Sequence, residues 1–179
     1  MSIKNFLLLL LLQPAQFAVG NPAKDIKIEK PIAYYLEKLQ KNSTPLPVGV
    51  KAKATDKARL YLFWATWCEY CDQMISSLQE ISNNSKNSKY EAVSIFSYAF
   101  DEKPLSSDND KLKKMTKFVN FQTQLEVQDL PMTLSRLPTL IVEDLEKKSF
   151  RVYTGYSNER FKSAKKTLDH ILNNPYEKE

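Results

Sequence analysis

The chain has only two thiols, Cys68 and Cys71, and the residues between them, Glu69 and Tyr70, set a C-x-x-C spacing. Such a pair can close a small disulfide ring, supply half of a zinc site, or anchor a haem. Haem attachment requires a histidine directly after the second cysteine, and Asp72 stands there. A structural zinc takes four ligands, whereas the single histidine of the chain, His170, lies near its far end. No metal site is expected. What remains is reversible dithiol–disulfide exchange, with a purely structural staple as the alternative. The staple is disfavoured because the stabilisation gained by closing a loop is smallest for short loops.

Exchange chemistry needs one acidic, reachable sulfur and a second held behind it, and the flanking residues provide both. Leu60 to Ala65 is a continuous apolar run rich in aromatics, the pattern of a central strand buried on both faces. From Cys71 onward Met74, Ile75, Leu78 and Ile81 recur at helical spacing until Asn83-Asn84-Ser85 ends the pattern. The cysteines therefore sit where a strand passes into a helix. Unsatisfied N–H groups at a helix start favour a thiolate at the first cysteine, which makes Cys68 the nucleophile. Cys71, one turn inside, is the resolving thiol that attacks the mixed disulfide. The cysteines carry the electrons, so no organic cofactor is expected. Glu69 and Asp72 place negative charge nearby, and like charge disfavours a thiolate, so Cys68 should be less acidic than in the strongest oxidases. Trp64 and Trp67 flank the pair, with Trp67 the better candidate for an apolar rim facing substrate.

Further elements follow the same patterns. A short helix is predicted over residues 32–40, and the Pro/Lys-rich residues 42–57 read as a linker without apolar periodicity. A second strand is expected over residues 92–98. Asp108 or Asp110 can cap a helix with Leu112, Met115, Phe118 and Val119 on its apolar face, leaving Lys111, Lys113, Lys114 and Lys117 as a solvated face. Residues 121–137 read as irregular. Two strands at residues 138–142 and 149–153 are joined by a charged turn, and a final helix begins near Ser157 with Phe161, Ala164, Leu168, Ile171 and Leu172 on one face.

The first twenty residues read as an address. Lys4 precedes the seven apolar residues Phe6 to Leu12, and Ala18-Val19-Gly20 places small residues where a signal peptidase inspects them. Seven residues fall well short of the roughly 20 that a bilayer-spanning helix needs. Cleavage near Gly20 removes one lysine and leaves a net charge of +4, against +5 for the whole chain. Export to the periplasm matters chemically, because an oxidising compartment allows a cysteine pair to cycle. The organisation expected is a signal peptide over residues 1–20, an N-terminal helix and linker over 21–57, and one domain over 58–179. With 42% hydrophobic residues the chain can build a core, and its three glycines cannot form a glycine-rich phosphate loop. No aromatic-basic groove is legible, so no nucleic-acid partner is expected.

The aromatic strand, the Trp64-Ala65-Thr66-Trp67-Cys68-Glu69-Tyr70-Cys71 junction, the later Leu137-Pro138-Thr139 and the order of elements resemble the thioredoxin superfamily. The resemblance spans about residues 58–173. It implies an α/β fold with a mixed sheet of about four strands flanked by helices. It also implies a cis proline at Pro138 beside the cysteines, with Leu137 offering its backbone to an extended substrate; Pro131 is the weaker candidate. Trp67, Glu69 and Tyr70 join Leu137 and Pro138 as the substrate-contacting set. Thioredoxins carry a buried aspartate six residues before the nucleophile, and here that position is Leu62, so proton handling must differ. Phe96-Ser97-Tyr98-Ala99-Phe100-Asp101, Leu130-Pro131 and Tyr70 are similar to the TrbB group of thiol-disulfide isomerases in F-type conjugative transfer, although Glu69 replaces that group's more usual proline or glycine. The resemblance implies disulfide-containing exported proteins as clients and a membrane or periplasmic thiol redox partner, and residues 21–57 are too short for a large dimerisation domain, so a monomer is expected. The alternatives are a reductase of the cytochrome-maturation type and a non-catalytic thioredoxin-like scaffold or chaperone.

Overall fold

One apolar strand, buried on both faces, divides the core into two halves. The computed structural model describes residues 31–83 and 89–173. Its helices are α1 (Ile32–Lys41), α2 (Glu69–Asn83), α3 (Asp110–Lys114) and α4 (Asn158–Asn173), and its strands are β1 (Ser43–Pro45), β2 (Ala58–Trp64), β3 (Val93–Ala99), β4 (Val119–Thr123), β5 (Thr139–Asp144) and β6 (Ser149–Thr154). Side chains alternate across a strand. Leu60, Leu62 and Trp64 of β2 thus face a cluster built with Met74, Ile75 and Leu78 of α2, Leu112 of α3 and Phe161, Ala164 and Leu168 of α4. Tyr61 and Phe63 face the opposite cluster, with Tyr35, Leu36 and Leu39 of α1 and Tyr98, Phe100 and Ile141.

The sheet has six strands in the order β1-β4-β3-β2-β5-β6, two more than the sequence suggests. β2 lies parallel to β3, with Trp64 opposite Ala99, and antiparallel to β5, with Phe63 opposite Thr139. The hairpin predicted across the charged turn is present as the antiparallel pair β5–β6. Asp144 closes its turn by accepting the backbone N–H groups of Glu146 and Lys147 at 3.0 and 3.1 Å.

Both additional strands lie where the sequence predicts no strand. β1 occupies the predicted linker and pairs antiparallel with β4, Ser43 opposite Thr123. The strap beyond it stays stitched to the fold, since Leu46 N–H donates to Asn120 O and Val50 N–H to Phe118 O, each at 2.9 Å. Between them Gly49 has φ +130°, and a Cβ there would lie 2.2 Å from Phe118 O. β4 takes Val119 out of the predicted helix and residues 121–123 out of the predicted loop. Helix α3 is correspondingly short. Its cap is Asn109 rather than either neighbouring aspartate; the Asn109 Oδ1 accepts from Lys111 N–H and Leu112 N–H at 3.0 and 3.1 Å. No helix among the described residues is long and apolar enough to cross a membrane. The predicted signal peptide lies outside the described residues.

Candidate functional site

β2 and α2 are joined by Ala65-Thr66-Trp67-Cys68, so the end of the most buried strand delivers its chain directly to the first cysteine. Several bonds fix this loop. Trp64 O accepts from Phe100 N–H at 2.8 Å, and Cys68 N–H donates to Ala65 O at 3.2 Å. Asp101, just past the end of β3, receives the Thr66 N–H on both carboxylate oxygens at 3.0 and 3.2 Å and the Thr66 hydroxyl as well.

Cys68 and Cys71 form a disulfide with their Cα atoms 5.3 Å apart. Cys68 directly precedes the first residue of α2, and Cys71 lies in its first turn, where Cys71 N–H donates to Cys68 O at 3.2 Å. The two differ in access: Cys68 retains 6% of its surface and Cys71 none. Both cysteines are thus buried, with the small remaining exposure at the residue that precedes the helix. Both belong to the cluster on the α2–α4 side of the sheet.

The surroundings sort the remaining predicted residues. Trp67 and Tyr70 are 68% and 58% exposed, large apolar surfaces beside the disulfide, and Glu69 is also exposed. Trp67 borders two clefts of about 520 and 810 Å³ that share Asp101, Glu102 and Pro104. Trp64, by contrast, is fully buried core. The Leu137–Pro138 peptide is cis. Pro138 is buried one residue before the Thr139–Phe63 pair, which brings it to the end of β2 from which the cysteine loop departs. Pro138 O accepts from Gly155 N–H at 2.7 Å, while the half-buried Leu137 packs against the cluster that holds both sulfurs. Leu62 is fully buried within that cluster, so no carboxylate occupies the position behind the pair.

Two participants escape the sequence reading, Asp101 and Lys111. Lys111 is not part of a solvated face: its side chain is only 12% exposed, and its ammonium lies 3.1 Å from Asp72 Oδ2. It donates to Cys68 O at 2.7 Å and approaches Ala65 O at 3.4 Å. Lys114 contacts the other oxygen of Asp72 at 3.4 Å. The negative charge expected of Asp72 beside Cys68 is thus opposed by two ammonium groups, and Glu69 is left as the exposed acid of the pair. Nothing in a run of four lysines between residues 111 and 117 distinguishes the one that turns inward. Among the described residues, no three His, Cys, Asp or Glu side chains are grouped to hold a metal ion.

Comparisons with known proteins agree with this geometry. No curated protein sequence matches the chain. Among solved structures it is similar to a Chlorobium tepidum protein named as a thiol:disulfide interchange protein DsbE, with 16% identity and a TM-score of 0.54 over 66% of this chain and 82% of that one. It is also similar to a Neisseria meningitidis protein named as a thioredoxin, with 18% identity and a TM-score of 0.54 over 74% and 89% of the two chains. A thioredoxin-like protein from Porphyromonas gingivalis gives 15% identity and a TM-score of 0.51 over 70% and 81%. At these identities the likeness is one of fold. The family model described as "Thioredoxin-like domain" matches residues 49–170. A cysteine pair closed at the N-terminus of α2, a cis proline leading into β5 and a match over most of the chain together place this protein in the thioredoxin-like domain family.

Proposed function

We propose that the protein is an exported thiol–disulfide oxidoreductase that reduces or isomerises disulfides in other proteins. The observation that carries the reading is a C-x-x-C disulfide closed at a helix start, with Cys68 keeping a small exposure and Cys71 none. In the reduced protein the Cys68 thiolate attacks a client disulfide, forming a Cys68–client bond and expelling the other client sulfur as a thiolate, which takes up a proton. Deprotonated Cys71 then attacks Cys68, restoring the intramolecular disulfide and releasing the second client thiol. Two electrons pass to the client, and a dithiol partner in the same compartment returns them. Isomerisation follows when the expelled client thiolate attacks elsewhere before Cys71 acts. The exposed Trp67 and Tyr70, with the Leu137 backbone, supply an apolar and strand-like surface for an extended client.

Export rests on Lys4, the Phe6–Leu12 run and Ala18-Val19-Gly20, and the periplasm is the compartment that suits a cycling pair. Clients in a conjugative or type IV secretion apparatus are the finer assignment, supported by the similarity of Phe96–Asp101 and Tyr70 to the TrbB group. The test is turnover of a model protein disulfide with dithiothreitol as reductant, together with client capture in cells. Cys68→Ser should abolish turnover and Cys71→Ser should accumulate mixed disulfides. Wild-type turnover by Cys68→Ser overturns the proposal, and absence of captured clients favours the scaffold reading.

A further inference from the structure

The ammonium of Lys111 stands closer to the backbone of the proposed nucleophile than any other cation among the described contacts. It reaches there from a separate element, α3, crossing to the loop before α2. Its three partners are two carbonyl oxygens and one carboxylate: Cys68 O at 2.7 Å, Ala65 O at 3.4 Å and Asp72 Oδ2 at 3.1 Å. Carbonyl oxygens do not neutralise charge, and the only carboxylate in the set is shared with Lys114. We infer that Lys111 is a positioning residue for Cys68, holding the carbonyl of the nucleophilic residue while its positive charge favours the thiolate.

Two arguments support this. Burying a lysine head group costs free energy unless it is bonded, and here the bonds made are to the segment that bears the reacting sulfur. A positive charge near a thiol favours its thiolate, and the Lys111 ammonium is held 2.7 Å from the carbonyl of the residue that bears the thiol. The other charged groups near the loop include Glu69 and Asp72 on α2, Lys114 on α3, Asp101 beyond β3, whose carboxylate is occupied by Thr66, and Glu102 and Lys103, which line the cleft beside Trp67. Removing Lys111 would leave Asp72 with Lys114 alone and tip this balance toward negative charge. The inference rests on the oxidoreductase reading for its purpose but not for its measurement.

The experiment titrates Cys68 in a Cys71→Ala background, where it is the single thiol, from the pH dependence of alkylation by iodoacetamide. Lys111→Met keeps the aliphatic stem and removes the charge, and Lys111→Gln is the second neutral variant. Either should raise the Cys68 pKa by about half to one unit, while Lys111→Arg should hold it near the unsubstituted value. Asp72→Asn, which removes the counter-charge at a partly exposed site, should move the titration downward. A Cys68 titration unmoved by the neutral variants, or an upward shift in Asp72→Asn, overturns the inference. A fall in thermal stability without a shift in titration assigns Lys111 a purely structural role and overturns it equally. Should the titration respond while the intact protein reduces no protein disulfide, the proposed function fails and the lysine assignment stands.

Discussion

Asp101 and Thr66 are joined three times over: both carboxylate oxygens accept the Thr66 backbone N–H, and the Thr66 hydroxyl donates to the same group. One carboxylate at the end of β3 thereby fixes the second residue of the loop that carries Cys68. Hydrogen bonds to a charged acceptor contribute about 1.5–3 kcal/mol. Asp101→Ala should therefore lower the unfolding free energy by about 2 kcal/mol in urea titration, and slow client reduction, because the loop loses its tether. Unchanged values for both would show that the loop is held by its neighbours alone.

Position 62 tests what an acid beside the cysteine cluster would cost. Leu62 is fully buried behind the cysteine pair. Restoring a carboxylate with Leu62→Asp puts an unpaired acid into an apolar cluster, and the expected loss is about 3 kcal/mol or more near neutral pH. The loss should shrink in acid, where the carboxyl is neutral. Urea unfolding across pH checks this, and a pH-independent loss would mean that only packing was damaged.

The strap between β1 and β2 is expected to be intolerant at one point. Gly49 combines φ +130° with a virtual Cβ 2.2 Å from Phe118 O, so Gly49→Ala must either move the strap or break the Val50–Phe118 bond. A cost of about 2 kcal/mol or more is expected from the denaturation midpoint. A neutral result would show that residues 46–50 can lift off without consequence for the sheet.

Burial pushes the Tyr98 phenol up to about 12, with its ring stacked on Phe121 at 5.2 Å. Because the folded value lies above the ordinary value of 10, the contribution of a neutral Tyr98 is complete below pH 10 and is lost as pH rises toward 12. Tyr61 is displaced in the same direction, by burial first and then by its bond to Glu143. Tyr98→Phe has no phenol to ionise in either state. Its stability should fall less steeply than that of the wild type over this alkaline window, by on the order of 2 kcal/mol. Parallel curves in urea unfolding at rising pH would exclude the effect.

How much of this was legible depends on where apolar pattern and structure coincide. β2 and α2 were readable because a two-sided buried strand and an amphipathic helix leave unambiguous periods, and the chemistry happens to sit between them. β4 was not, because Asn120 occupies its buried face. The Asn120 side chain accepts from Ser97 Oγ at 2.6 Å and donates to Val48 O and Met115 O at 2.9 and 2.8 Å. A polar residue satisfied mainly by partners outside its own strand looks, along the chain, like part of a loop. β1 is three residues long and ends in a proline, too short to show any period. Met115 and Phe118 keep helical spacing beyond the end of α3, which made that helix seem longer than it is. The cysteines and Pro138 were visible by type and motif, whereas Lys111 and Asp101 depend on contacts between elements that no local window contains.

Both cysteines belong to the layer beneath α2 and α4, whereas α1 packs on the opposite layer, whose Phe100 reaches the cysteine loop only through its backbone bond to Trp64. A fused reporter or a swapped outer residue on α1 therefore lies on the far side of the sheet from the cysteine pair, where it can be carried with redox behaviour preserved.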